Sequence, residues 1–282
     1  GAAGDPAVVA ADDGGRTVRL PRPATRIVSL IPSATETLVA LGVAGRIVGR
    51  TDYDVAPAVA ARPSVGGGLD PSVEAIVALR PDLVVTWAHD AREQTRARLE
   101  AVGIPTFSLA TEDTADAFRG MTRLGRLVGR DSAAAALVER VRAELDAVRG
   151  SVAGRERPSV LFVLGDDPPM TAGAGTFVAQ LIGVAGGRAT FADLAQRWPT
   201  VSMEEIVRRD PDVILLPVGA RSAGRAEALA RAPGWRSLRA VREGRVRTAS
   251  ADLVSRPGPH LGEAAQDVVA VLQRGRHQLR RL

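Results

Sequence analysis

The chain has 282 residues, 45% of them hydrophobic, a formal net charge of +5 and a sequence pI near 11.0. That length accommodates two domains with cores of ordinary size, and no apolar run is long enough to span a bilayer. The absence of cysteine excludes disulfides, thiolate catalysis and Cys-ligated metals. Every cation is an arginine, and residues such as Arg92, Arg96, Arg98, Arg119, Arg123 and Arg126 are scattered singly. No basic stripe alternates with aromatics, so a solvated surface is expected and a nucleic-acid partner is not.

The chain opens on GAAGDPA without Met, which reads as a processed N-terminus from which an export signal was removed. Residues 7–30 predict a β-hairpin turning at Asp13-Gly14, then a buried strand over Arg26–Leu30. Ser33 with Glu36 three residues on forms a capping-box pattern for a helix that Leu38, Leu41 and Gly42 close. Ile47-Val48-Gly49 reads as a strand and RTDYDVAP as the loop after it. Gly66-Gly67-Gly68 leads into Asp70-Pro71 and a helix-strand unit. Residues 91–102 predict a helix with apolar face Leu99 and Val102, and Pro105-Thr106-Phe107 starts another strand. Residues 114–129 are helical. Residues 131–149 carry the strongest helix signal, with Leu137, Val141, Leu145 and Val148 at helical spacing. A strand over Ser159–Leu164, a loop GDDPPMTAGAG, a helix from Thr176, a loop ADLAQRWPTV, a second helix-strand unit, a helix near Arg225–Ala230, a strand Arg245–Ala249 and a closing helix over Gly262–Leu282 complete the chain.

The two helix-strand units are copies. SVEAIVALRPDLVVTW starts at Ser72 and SMEEIVRRDPDVILLP at Ser202, an offset of 202 − 72 = 130. Ser72 matches Ser202, Glu74 matches Glu204, Ile76 matches Ile206, Val77 matches Val207, Pro81 matches Pro211 and Asp82 matches Asp212. Each copy reads as a short amphipathic helix stopped by Pro-Asp and followed by a strand buried on both faces. The predicted fold is therefore α/β, two Rossmann-like lobes with parallel-type sheets joined by one long rigid helix. The expected boundaries are 1–130 for the first lobe with its hairpin, 131–150 for the bridging helix and 151–282 for the second lobe, with a cleft between lobes as the binding place.

Catalytic signatures are missing. The histidines His89, His260 and His277 make no metal spacing, and there is no G-x-S-x-G elbow, HExxH, G-x-G-x-x-G or Walker A. No catalytic residue, metal ligand or intrinsic cofactor is assigned. In open parallel sheets ligands bind outside the carboxyl ends of the strands, and Tyr53, Trp87 and Trp198 fall in or beside such loops. Their rings either fill gaps against the core or contact a flat ligand; three on one edge point to the second. Trp235, in APGWRSL, is expected to pack a helix of the second lobe. Glu74 and Glu204, in the first turns of their helices, are favoured there by the helix dipole. Occupying the same place in each half, they also suit docking to a two-fold partner carrying arginines.

The run RIVSLIPSATETLVALG, then VGRTDYDVAP, then LDPSVEAIVALRPDLVVTW, resembles the class III substrate-binding proteins of ABC importers, which serve cobalamin, haem and ferric siderophores. The resemblance runs from about Thr17 to near the end and is nearest to the periplasmic cobalamin-binding proteins. It implies two lobes bridged by a helix, a corrinoid captured between them, and delivery to a membrane permease dimer by a monomeric protein on the periplasmic or extracellular face. It implies ring contacts from Tyr53, Trp87 and Trp198, with His89 and Arg256 on neighbouring loops, and Glu74 and Glu204 as the permease-docking pair. Two features depart from the family pattern. Gly66 stands where cobalamin-binding members carry a tryptophan, which suits other planar ligands too, and the disulfide some members have is absent. Haem is the alternative ligand, with Tyr53 as a phenolate to ferric iron helped by His89 or His260. A ferric siderophore comes next, held by arginines such as Arg50, Arg197 and Arg256. An intracellular α/β enzyme on the same duplicated scaffold is the alternative from another class.

Overall fold

The computed structural model describes residues 7–88, 93–219, 222 and 224–273. The chain falls into two units. The first runs through Thr111 and takes Ala115–Arg140; the second takes Glu112–Thr114 and everything from Val141 on.

The first unit opens with β1 (Val8–Ala11) antiparallel to β2 (Thr17–Leu20). The turn differs from the Asp13-Gly14 expectation: the loop has five residues, Asp12–Arg16, and its positive φ is at Gly15. Asp12 is used otherwise, accepting from the backbone N–H of Arg16 at 2.8 Å and of Ser108 at 3.2 Å. Asp13 accepts from the N–H of Ala110 at 2.9 Å and pairs with Arg123. These carboxylates bond the backbone of β6 (Thr106–Leu109) and the residue after it, which would otherwise be an open sheet edge.

Strands β3 (Ile27–Ser29), β4 (Ile47–Gly49), β5 (Leu83–Trp87) and β6 form a sheet of order β4-β3-β5-β6, parallel throughout. Helices α1 (Pro32–Ala40), α2 (Val73–Ala78), α3 (Glu93–Ala101) and α4 (Thr114–Leu127) belong with it. Val28, Leu30, Val73, Ile76, Val84 and Leu99 share its core. The Ser33–Glu36 capping box does not form. Pro32 occupies the first helical position, where a missing N–H costs nothing, so Ile31 is the N-cap and Ser33 lies buried inside the helix. Val102 is exposed, because α3 ends at Ala101; Leu99 is the buried residue of that expected pair. Helix α5 (Asp131–Val152) covers the strong helix signal and runs two residues beyond 150.

The second unit repeats the plan. Strands β7 (Ser159–Phe162), β10 (Arg188–Ala189), β11 (Val213–Val218) and β12 (Val246–Ser250) form a parallel sheet of order β10-β7-β11-β12. The expected loop after β7 contains a small hairpin, β8 (Gly165–Asp166) with β9 (Pro169–Met170), and helix α6 (Phe177–Val184) follows with Thr176 as its cap. Then come α7 (Met203–Arg209), α8 (Arg225–Arg231), α9 (Arg239–Arg242), α10 (Ala251–Val254) and α11 (Leu261–Gln273). The closing helix is described to Gln273, and the rest of the predicted span lies outside the described residues. Trp235 is buried in the core with Leu161, Phe191, Ile206, Ile214 and Leu216. The α/β class with parallel sheets, expected from the two buried β-branched runs, is borne out in each unit.

The duplicated stretch shows why the copies kept Ser, Pro and Asp. Ser72 accepts from the N–H of Ala75 and Ser202 from that of Glu205, both at 3.1 Å, as N-caps do. Proline bars the residue before it from the right-handed helical region, and Arg80 and Asp210 take the left-handed one, with φ of 48° and 41°. Asp82 then accepts from the backbone N–H of Thr25 and Arg26, and Asp212 from that of Ser159 at 2.8 Å. Each aspartate ties the start of one central strand to its neighbour. Partial burial opposes ionisation of Asp212, but hydrogen bonds from Ser159 and Arg239 outweigh it and hold the carboxyl below its ordinary value. Its contribution to stability is therefore complete above the unfolded value of about 4 and is lost as pH falls through the folded value. Asp212→Asn is expected to melt below the wild type at pH 7, with the gap narrowing by pH 3 in thermal melts across that range.

Candidate functional site

In both sheets the chain starts on a central strand, moves to one side and returns to the other. The connections leave the carboxyl edge in opposite directions between β3 and β5, and again between β7 and β11. Such switch points are where parallel sheets hold ligands.

At the first of them, Trp87 is the last residue of β5, half-buried, and its indole N–H is buried with no acceptor among the described residues. The glycine turn lies against it. A Cβ on Gly68 would sit 2.3 Å from the carbonyl oxygen of Leu30 and 3.3 Å from the indole nitrogen; one on Gly67 would sit 3.8 Å from the Tyr53 ring. Only glycine lets the turn press this closely on the end of β3. Gly66 itself has φ of 95° and accepts from the N–H of Asp52 at 3.0 Å, joining the turn to the Tyr53 loop. That loop is braced by Asp54, which accepts from the N–H and hydroxyl of Thr51 at 2.7 and 2.8 Å. Tyr53 is 48% exposed, and Val55 in the same loop and Leu69 after the glycine turn are exposed as well. Arg50 donates from Nη1 to the carbonyl of Thr51 at 2.9 Å, makes no ion pair among the described residues, and leaves its buried Nε without a partner. The structure thus brings Tyr53, the glycine turn and Trp87 together. His89 and His277 lie outside the described residues.

In the second unit Trp198 is half-buried against Phe162 at the end of β7, with ring centroids 6.4 Å apart and planes at 55°. Its loop is laced to the segment after β9: Thr171 donates to Pro199, Gly173 to Arg197 and Ala174 to Leu194, at 3.1, 2.7 and 2.8 Å. A Cβ on Gly173 would lie 2.0 Å from the carbonyl oxygen of Gln196. Arg256 is paired with Asp252 at 2.7 Å and His260 with Glu263 at 3.0 Å. Arg197 stands 3.8 Å from Glu112.

Four contributors escaped the sequence reading. Arg225 donates to the carbonyls of Val163, Leu164 and Pro217 and pairs with Asp166 at 2.6 Å, filling the second switch point with a guanidinium. Nothing in its local sequence marks it. Gly68 and Gly173 sit in glycine-rich stretches, a signal that names the stretch but not the position. Arg98 reaches Glu74 at 2.6 Å from a different helix. Its guanidinium, after a bond from the residue's own N–H, holds the Glu74 carboxyl below its ordinary value. Glu74 and Glu204 are both exposed on their helices, and Glu204 makes no ion pair among the described residues.

Among the described residues no three His, Asp or Glu side chains gather into a metal site, and no helix is long and apolar enough to cross a membrane. Two duplicated α/β units whose switch points carry aromatic rings and cradling glycines are the makings of a binding protein. Residues 27–253 match the family model described as periplasmic binding protein, and the chain belongs to that family. It is a transport-type binding protein and not an enzyme. A cobalamin-binding protein of Halobacterium salinarum is 34% identical over 249 residues, which is 84% of this chain and 66% of that protein. The periplasmic haem-binding protein RhuT of Roseiflexus sp. RS-1 in apo form superposes with a TM-score of 0.80 at 28% identity, over 88% of this chain and 97% of that one. A structure from the ABC-type Fe3+-hydroxamate transport system of Saccharomonospora viridis gives 0.77 at 26%, over 94% and 99%.

Proposed function

We propose that this protein is the exported substrate-binding component of an ABC importer, that it captures a corrinoid, and that it hands the ligand to a permease dimer while itself monomeric. Its two lobes, on this reading, are bridged by α5. The observation that carries the ligand class is the aromatic ledge at the first switch point: a tyrosine that is 48% exposed, a glycine turn with no side chains, and a half-buried tryptophan against it. A broad, flat, largely apolar ligand fits such a surface, since ring faces and bare backbone admit close van der Waals contact. Tyr53 and Trp87 on the first unit and Trp198 on the second are the ring contacts. Gly66 keeps the wall low, and His89 and Arg256 are further ligand contacts on this reading. The likeness to a cobalamin-binding protein supports the corrinoid.

Haem is the second reading, favoured by the exposed phenol of Tyr53 and by the likeness to a haem-binding protein. Titration with cyanocobalamin, haemin and a ferric hydroxamate, followed by calorimetry and absorbance, separates them. The corrinoid is expected to bind at micromolar concentration or tighter, and Trp198→Ala to weaken it about thirtyfold, as for a buried aromatic anchor. A haemin Soret shift that disappears in Tyr53→Phe would move the assignment to haem. Failure of all three to bind would remove the proposed ligand class.

A further inference from the structure

The second switch point is occupied by a side chain of the protein itself. Arg225 is the first residue of α8 and follows Gly224, whose φ is 80°. A cation at that end of a helix is opposed by the helix dipole and by the unpaired N–H groups of the first turn, so the helix gives no reason for an arginine here. The reason lies in what surrounds the guanidinium. Nη2 donates to the carbonyls of Val163 at 3.0 Å and Leu164 at 2.9 Å, where the chain leaves β7, and Nη1 donates to that of Pro217 in β11 at 3.3 Å. Nε and Nη2 take the Asp166 carboxylate at 3.3 and 2.6 Å. All three nitrogens are engaged inside the protein, and the side chain is largely buried. A planar fork spans three carbonyls and a carboxylate at once; an ammonium does not.

The connection runs on from Asp166, which lies in β8 and is paired with Pro169 of β9. The carbonyl of Pro169 accepts from the N–H of Val201 at 2.9 Å, Thr171 donates to the carbonyl of Pro199 at 3.1 Å, and Met170 bridges to Thr200. The hairpin thus grips the three residues that follow Trp198. We infer that Arg225 is a positioning residue for ligand capture: by holding Asp166 it fixes the β8–β9 hairpin to the ends of β7 and β11, and the hairpin fixes the Trp198 loop. The inference rests on the reading of Trp198 as a ring contact given above. Without the guanidinium, Asp166 is a bare carboxylate beside three carbonyl oxygens, and their mutual repulsion frees the hairpin. The loop is then ordered at the expense of binding instead of beforehand.

Hydrogen exchange in the ligand-free protein reads the positioning with no ligand involved. Arg225→Gln is expected to speed exchange at the amides of Thr171, Gly173 and Val201 about tenfold or more, with the amides of β3 and β5 unchanged. Titration with cyanocobalamin reads capture. Arg225→Gln is expected to weaken binding about tenfold, the ordering cost of a freed loop, and to add nothing in a Trp198→Ala background. Arg225→Lys keeps the charge without the fork and is expected to behave as Arg225→Gln, while millimolar ethylguanidinium, and not ethylammonium, restores Arg225→Ala. Asp166→Asn is the milder variant; it is expected to speed the same amides, and it decides the matter should the Arg225 variants fail to fold. Unchanged exchange at those amides would overturn the positioning. Affinity lost in Trp198→Ala but kept in Arg225→Gln would overturn its link to capture. Wild-type protein that does not bind cyanocobalamin would remove the corrinoid reading and the capture half with it, and the exchange result would still decide the positioning.

Discussion

Gly173→Ala is expected to lower ligand affinity about tenfold or more and to destabilise the protein by roughly 2–4 kcal/mol. The added methyl would lie 2.0 Å from the carbonyl oxygen of Gln196 and 3.1 Å from that of Leu194, and both are backbone atoms that cannot rotate away. Relief requires the 192–201 loop to lift, which breaks the bonds Gly173 and Ala174 make to it. Each lost bond costs about 0.5–1.5 kcal/mol, and Trp198, carried by that loop, leaves Phe162. Gly68→Ala should act likewise at the other site, since its methyl would meet the Leu30 carbonyl at 2.3 Å. Gly150→Ala is the control. It lies in α5 with open space around the added methyl, and should be neutral for binding and stabilise the helix by about 0.5–1 kcal/mol. Calorimetric titration and denaturant unfolding of the three variants check the order. Equal ligand affinity in Gly173→Ala and wild type would detach Trp198 from the site.

Reversing Glu74 and Glu204 to arginine should abolish uptake while ligand affinity stays within about twofold. Both side chains are solvent-exposed, and neither bonds to Tyr53, Trp87 or Trp198. The fold loses a favourable helix-dipole interaction at each helix and the exposed Glu74–Arg98 ion pair, all small on a solvated surface, so the variant should still fold. Against arginines on the importer, each reversal replaces attraction with like-charge contact, which costs several kcal/mol. Transport into whole cells or vesicles, measured beside ligand affinity in solution, is the check; unchanged uptake would remove these residues from docking.

What could be read in the sequence was whatever is enforced locally and twice. Ser72 and Ser202 as caps, Pro81 and Pro211 as stops, and the β-branched runs after them are short-range consequences of side-chain chemistry. The duplication doubled the signal for two parallel sheets. Capping at Ser33 was a local inference that a stronger local constraint overrode, because Pro32 sets its own φ and pulls the helix start back. Val102 failed through a boundary, one residue past the end of α3. Other features depend on residues distant in the chain. Arg225 meets Asp166 across 59 positions and Arg98 meets Glu74 across 24. No periodicity encodes such encounters. The glycines were visible as clusters, but which of them admits a carbonyl is decided only when Leu30 or Gln196 arrives. Tyr53, Trp87 and Trp198 stand in or beside loops that follow strands, a placement legible in the chain order, and each lies at that edge.

The strand order has a consequence for how the chain reaches its native state. Ile27 pairs with Leu83, 83 − 27 = 56 positions later, and Val160 with Val213, 213 − 160 = 53 positions later. Neither sheet can close until a long intervening segment has been threaded back, so the cost of loop closure comes before the pairing that offsets it. Each sheet should therefore assemble late and slowly, leaving its β-branched strands open to chaperones and to aggregation in the meantime. Refolding from denaturant at increasing protein concentration should show this as a falling yield.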